Sequence, residues 1–196
     1  AGVELANGRV SAGIGTLGGA LECTHRCALS PNPDSAEVER AVASVTRELS
    51  KWARRAGVSV RQVSVALPGF GSFGDINPII PTSIDTLRSV VAEQFDGVPI
   101  AFTNSVQAQA AQHGFGVQAK SRDQKHLFLF VGHGIGAACI GDMTHGAEHR
   151  TVEIGHMIMD RAGPLCRCGH RGCLEAYAGL PAVATAFDLP EERLLA

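Results

Sequence analysis

The chain has 196 residues, 45% hydrophobic side chains and a formal net charge of −2, enough apolar content for a buried core. That charge excludes a broad basic footprint for nucleic acid within these residues. No apolar run reaches the about 18 residues of a membrane span and no signal peptide opens the chain, so a cytoplasmic protein without a membrane partner is expected.

In chain order, Val3 to Ile14 predicts two strands around an Asn7-Gly8 turn, and Leu21 to Leu29 a third after a turn at Leu17–Leu21. Asp34 or Ser35 caps a helix from Ala36 to Ala56, whose apolar positions Val38, Ala41, Val42, Val45, Leu49, Trp52 and Ala53 recur at helical spacing up to Gly57. Val63–Leu67 is a short strand stopped by Pro68-Gly69, and 69–74 reads as a Gly-rich loop. Ser83 caps a helix running to about Phe95. Val98–Phe102 is a buried strand that delivers Thr103, Asn104 and Ser105, and Val106–Gln112 continues as helix. After a polar linker at 120–125, His126–Val131 forms a strand, Gly132-His-Gly-Ile-Gly136 a turn and Ala137–Gly141 the return strand. Two Gly-rich hairpins, one opening each half, suggest duplicated lobes with a cleft between them. The first residue is not Met, and 191–196 stop within a helical pattern, so a fragment is expected.

Six cysteines are present, and three of them gather with two histidines between Glu153 and Glu175. The pattern is Glu153-Ile-Gly-His156, then Cys166-Arg-Cys168-Gly-His-Arg-Gly-Cys173-Leu-Glu175. Thiolates and imidazole are the donors that tetrahedral zinc prefers, so His156, Cys166, Cys168 and Cys173 are the expected ligands. His170 is the rival to His156, and free buried thiols are the alternative to a metal. With four protein ligands the zinc is structural, since no position stays open for a catalytic water. Cys-x-Cys is too tight for easy pairing, and a core of this size needs no disulfide framework, which points to a reducing compartment. Glu153 and Glu175 read either as solvated charges or as carboxylates that the metal loop holds in place. His25, His126, His145 and His149 read as surface or loop residues.

Four segments in this order resemble the ROK family of sugar kinases and sugar-responsive repressors, within the actin/hexokinase-like superfamily. They are the Gly2-Val-Glu-Leu opening hairpin, Leu67-Pro-Gly69, Gly132-x-Gly-Ile-Gly136, and Glu153-Ile-Gly-His156 with its Cys cluster. The resemblance implies a two-lobed α/β, actin/hexokinase-like (ribonuclease H-like) fold. Residues 1–103 would form a small lobe and 104–196 part of a large lobe whose C-terminal portion is cut short. It implies that Asn104, Glu153, His156 and Glu175 contact a sugar. The catalytic Asp that follows the Asn in family kinases is Ser105 here, a weak base that also reads as a helix cap. His113 could replace the base only by a large rearrangement. Ile79 follows Pro78 where a sugar-contacting Asn is usual.

Both phosphate turns depart from the kinase pattern. Glu4 and Ala6-Asn7-Gly8 replace the usual Asp and Gly-Gly-Thr, and His133 stands where Thr is usual. Gly8, Gly132, Gly134 and Gly136 remain as a remnant of those turns. The resemblance therefore implies a sugar-sensing, catalytically inactive domain of a transcriptional regulator, with a helix-turn-helix upstream of Ala1 supplying DNA contact and a homodimer or higher assembly. The alternative it implies is a hexose or amino-sugar kinase using ATP and magnesium.

Overall fold

The computed structural model describes residues 1–6, 8–16, 19–69, 80–118, 126–140, 150–190 and 194. The expectations for Asn7, Leu17, the loop 70–79 with Pro78 and Ile79, the linker 120–125, His145, His149 and most of 191–196 lie outside the described residues. The chain divides into two compact units, Ala1–Ser105 and Val106–Ala196.

In the first unit β1 (Gly2–Ala6), β2 (Arg9–Gly15) and β3 (Leu21–Ala28) form an antiparallel meander. Helix α1 (Ser35–Ala56) follows, then β4 (Val63–Leu67), α2 (Ile84–Ala92) and β5 (Ile100–Asn104). The sheet order is β3-β2-β1-β4-β5, and β4 lies parallel to both β1 and β5. Alternation decides which face is covered. Val3, Leu5, Val10, Ala12, Ile14, Val63 and Val65 are buried in one cluster with Val38, Val42, Val45 and Leu49 of α1 and Leu87 and Val91 of α2. Glu4, Ser11 and Ser64 occupy the intervening positions and remain partly exposed.

Local chemistry sets the helix ends. The Asp34 carboxylate accepts the Glu37 N–H at 2.7 Å, a cap that contributes about 1 kcal/mol, so of the two expected caps Asp34 holds the position. Gly57 closes α1 at φ 66°, in the left-handed region that favours glycine. The Ser83 hydroxyl accepts the Thr86 N–H and starts α2, which ends at Ala92, short of Phe95. From there Gln94 N–H donates to Val91 and Phe95 N–H to Ala92, bonds of tighter turns.

Helix α3 (Ser105–Gln118) enters the second unit at Val106, and β6 (His126–Val131), β7 (Ile135–Ile140), β8 (Arg150–Val152), α4 (Glu175–Ala178) and α5 (Leu180–Ala186) follow, with a short 3-10 helix at Ile154–His156. Helix α3 extends six residues past the expected Gln112. Strands β6, β7 and β8 form an antiparallel sheet in that order. Ala110 of α3 and Ala138 of β7 are buried together, with Val106 and Phe128 packed on them. The His113 ring stacks on Phe128 with centroids 5.2 Å apart, which employs this histidine in packing. Among the described residues this apolar cluster is far smaller than that of the first unit.

Leu49 is fully buried where α1 meets the sheet, so Leu49→Ala should cost about 2–5 kcal/mol in urea unfolding. Val58→Ala, at a position 41% exposed, should change stability by less than about 0.5 kcal/mol. Equal losses would show that α1 is not the organising helix of this core.

Candidate metal and ligand site

The loop after β8 folds on short-range backbone bonds. Leu174 N–H donates to Met157 O and Met159 N–H to Gly172 O, and isolated bridges pair Ile158 with Cys173 and Leu165 with Arg171. Between them Cys166 N–H donates to His170 O at 2.8 Å and Gly169 N–H to Cys166 O at 3.0 Å. The turn needs Gly169 at φ 89° and Gly172 at φ 72°, and a Cβ on Gly172 would collide with the Asp160 carbonyl.

This geometry gathers His156, Cys166, Cys168 and Cys173 so that one ligand atom from each lies within 4.8 Å of the others. Cys168 Sγ is 3.6 Å from Cys173 Sγ, and His156 Nδ1 is 3.7 Å from Cys166 Sγ. His170 Nδ1 lies 3.5 Å from Cys168 Sγ but outside that four-atom group. Cys166 and Cys173 are buried; His156 and Cys168 are half-buried. Three sulfurs and one nitrogen converging in this way form a donor set that can hold a metal ion, and the residues fit tetrahedral coordination.

The thiols have unequal proton affinities. Burial pushes Cys166 up, and burial together with its neighbours Cys168 and Cys166 pushes Cys173 up to about 12. Burial also pushes Cys168 upward, but hydrogen bonds from the His170 backbone and ring and from the thiols of Cys166 and Cys173 outweigh it, and Cys168 falls to about 6. Thiolate is the ligand form, so a metal ion would displace the protons that Cys166 and Cys173 retain at neutral pH.

Both ends of the metal loop press on the Gly132–Gly136 turn. A Cβ on Gly155, the residue before His156, would collide with the Ile135 carbonyl oxygen. Glu175, two residues after Cys173, accepts the Ile135 N–H on Oε2 at 2.9 Å. A Cβ on Gly134 would lie 2.9 Å from that same oxygen. Leu180 N–H then donates to Gly132 O at 2.8 Å. Gly136 is needed for another reason, since a Cβ there would stand 2.8 Å from Val106 Cγ2. The turn glycines therefore make room for packing, a role that a phosphate-turn reading alone does not contain.

Glu153 directly follows β8 and is half-buried. Burial holds its carboxyl above the usual range; His156 draws it down and Glu175 pushes it up again. Glu153, His156 and Glu175 thus fall within one unit, near the metal-ligand cluster. A cavity of about 240 Å³ in the same unit is lined by His133, Leu165, Cys166, Arg167 and Glu175, among others. Asn104 ends β5 in the first unit, where its side-chain N–H donates to Gly69 O at 2.9 Å. Ser105 begins α3, and its buried hydroxyl has no hydrogen-bond partner among the described residues, so its side chain does not cap the helix. Gly8 turns between β1 and β2 at φ 73°.

Residues 1–194 match the sequence profile of the ROK family. The xylose repressor of Bacillus spizizenii is 31% identical over 109 residues, covering 55% of this chain and 28% of the repressor. The N-acetylmannosamine kinase of Vibrio cholerae is 30% identical over 148 residues, covering 72% of this chain and 50% of the kinase. The chain thus spans half or less of the length of these relatives. The solved structure of a ROK family glucokinase from Streptomyces griseus, in complex with glucose and AMPPNP, superposes with a TM-score of 0.71 at 23% identity, covering 94% of this chain and 58% of that one. The fold is accordingly the α/β architecture of that glucokinase over the matched part.

The thiol inequality is directly measurable. In metal-stripped protein at pH 7, iodoacetamide should modify Cys168 first and Cys173 last, as followed by mass spectrometry. Cys173 reacting as fast as Cys168 would contradict the geometry given for the loop.

Proposed function

The chain belongs to the ROK family, and from that premise we propose that it is the sugar-sensing effector domain of a transcriptional regulator and does not transfer phosphate. The observation that carries this reading is Ser105. A hexose kinase needs a base at the sugar hydroxyl, and general-base catalysis is worth roughly 100- to 10,000-fold. In the kinase pattern that base is the Asp after the Asn; here it is a serine whose hydroxyl has no basic side chain hydrogen-bonded to it among the described residues.

Sugar recognition is assigned to Asn104, Glu153, His156 and Glu175. Carboxylates hold sugar hydroxyls by charge-assisted hydrogen bonds. Since Oε2 of Glu175 is engaged by Ile135, Oε1 is the oxygen assigned to the sugar. His156 presents Nδ1 towards the thiols, so Nε2 is the nitrogen assigned to the ligand. Residues 1–103 are read as the small lobe and 104–196 as part of the large one. A sugar shifts a conformational equilibrium of the regulator only through unequal affinity for its two states.

The metal assigned to His156, Cys166, Cys168 and Cys173 is zinc in a structural role, where it would supply a rigid cross-link and no Lewis-acid step. DNA contact is assigned to a helix-turn-helix outside these residues, and a homodimer or higher assembly is proposed. No helix among the described residues is long and apolar enough to cross a membrane.

The second reading is an ATP- and magnesium-dependent hexose or amino-sugar kinase. The retained Gly132, Gly134 and Gly136 and the similarity to the N-acetylmannosamine kinase favour it. A panel of hexoses and amino sugars offered with ATP and magnesium to the full-length protein separates the two. The regulator reading predicts calorimetric heat with at least one sugar, a loss of affinity of roughly tenfold or more in Glu153→Gln, and no sugar phosphate. Steady turnover of several per second would overturn it, and absence of heat with every sugar would overturn both readings.

A further inference from the structure

We propose that Glu175 is a positioning residue that transmits metal occupancy to the Gly132–Gly136 turn. This rests on reading the four-residue cluster as a metal site. Ile135 opens β7 at the mouth of the hairpin, and its N–H donates to Glu175 Oε2 at 2.9 Å across 40 residues of sequence. The turn itself supplies one short bond, from Gly132 N–H to Gly134 O. Gly136 packs against Val106 of α3. Three further restraints come from the metal loop and the helix after it, namely the Glu175 carboxylate, the Leu180 N–H on Gly132 O, and Gly155 against the Ile135 carbonyl.

Two of these restraints lie immediately outside the clustered residues. Gly155 precedes His156, and Glu175 follows Cys173 by two residues. One ion bonded to both His156 and Cys173 therefore fixes the spacing of two jaws that grip a single turn. Removing the ion frees the jaws to separate. Oxygen Oε2 then leaves Ile135 N–H, and the turn loses one of its anchors. Gly134 is part of the device, because any Cβ there would push the carboxylate away.

Amide hydrogen exchange resolved at Ile135 tests this in the full-length protein, with metal content measured on the same samples. Glu175→Ala should bind metal in the wild-type ratio yet exchange Ile135 roughly tenfold faster or more, because the acceptor is gone. Glu175→Gln should restore slow exchange, since its side-chain carbonyl still accepts. Stripping metal from the wild type should accelerate Ile135 to a similar degree, and stripping it from Glu175→Ala should add little further. A chain that holds no metal overturns the metal reading and the coupling with it. A chain that holds metal, loses it to a chelator and leaves Ile135 exchange unchanged overturns the coupling alone, as does unchanged exchange in Glu175→Ala.

Discussion

The convergence of His156, Cys166, Cys168 and Cys173 is the constraint on which the second unit depends. Met157, Ile158, Met159 and Leu165 of this loop are exposed, and two of its three cysteines, Cys166 and Cys173, are buried in their place. Such a segment buries too little hydrocarbon to offset the entropy of ordering it, roughly 1–2 kcal/mol per residue for the backbone alone. An ion bonded to the four clustered side chains would supply the missing cohesion, as metals do in small domains whose cores are insufficient. The first unit needs no such device, because α1 and α2 bury a continuous aliphatic layer against the sheet.

Two acids stand beside that cluster. Glu175 rests on the Ile135 amide, and Glu153 is near enough to His156 and Glu175 for its proton affinity to respond to both. Burial and the second acid raise the Glu153 carboxyl. The fold alone does not decide what such a pocket is used for, since one architecture hosts sensing and phosphoryl transfer alike. Single positions bear on that use, and at one of them stands Ser105, whose hydroxyl has no hydrogen-bond partner among the described residues.

Legibility in the sequence followed the range of the interactions. Helix α1 was readable because its buried positions repeat at helical spacing between Asp34 and Gly57. Strand β6 was readable to its ends because an apolar run meets a Gly-rich turn. The clustering of His156, Cys166, Cys168 and Cys173 was readable because three of them lie within eight residues. Strand β8, α4 and α5 left no such mark, being too short for periodicity to register. The true end of α3 was obscured by Gly114 and Gly116, which lower helix propensity. Least legible was the bond between Glu175 and Ile135. Its partners are 40 residues apart, and one of them is a backbone amide that carries no side-chain signature. Gly134 was a possible signal, yet a glycine reserved for a carboxylate reads the same as one reserved for a phosphate.

The central claim is that one ion with four protein ligands organises the loop. X-ray absorption at the zinc edge of the purified full-length protein tests it most directly. The account predicts one zinc per chain with three sulfur neighbours at about 2.3 Å and one nitrogen at about 2.0–2.1 Å. The same spectrum from Cys173→Ser should show one sulfur fewer. A first shell dominated by oxygen, or a protein that holds no stoichiometric zinc, would contradict it.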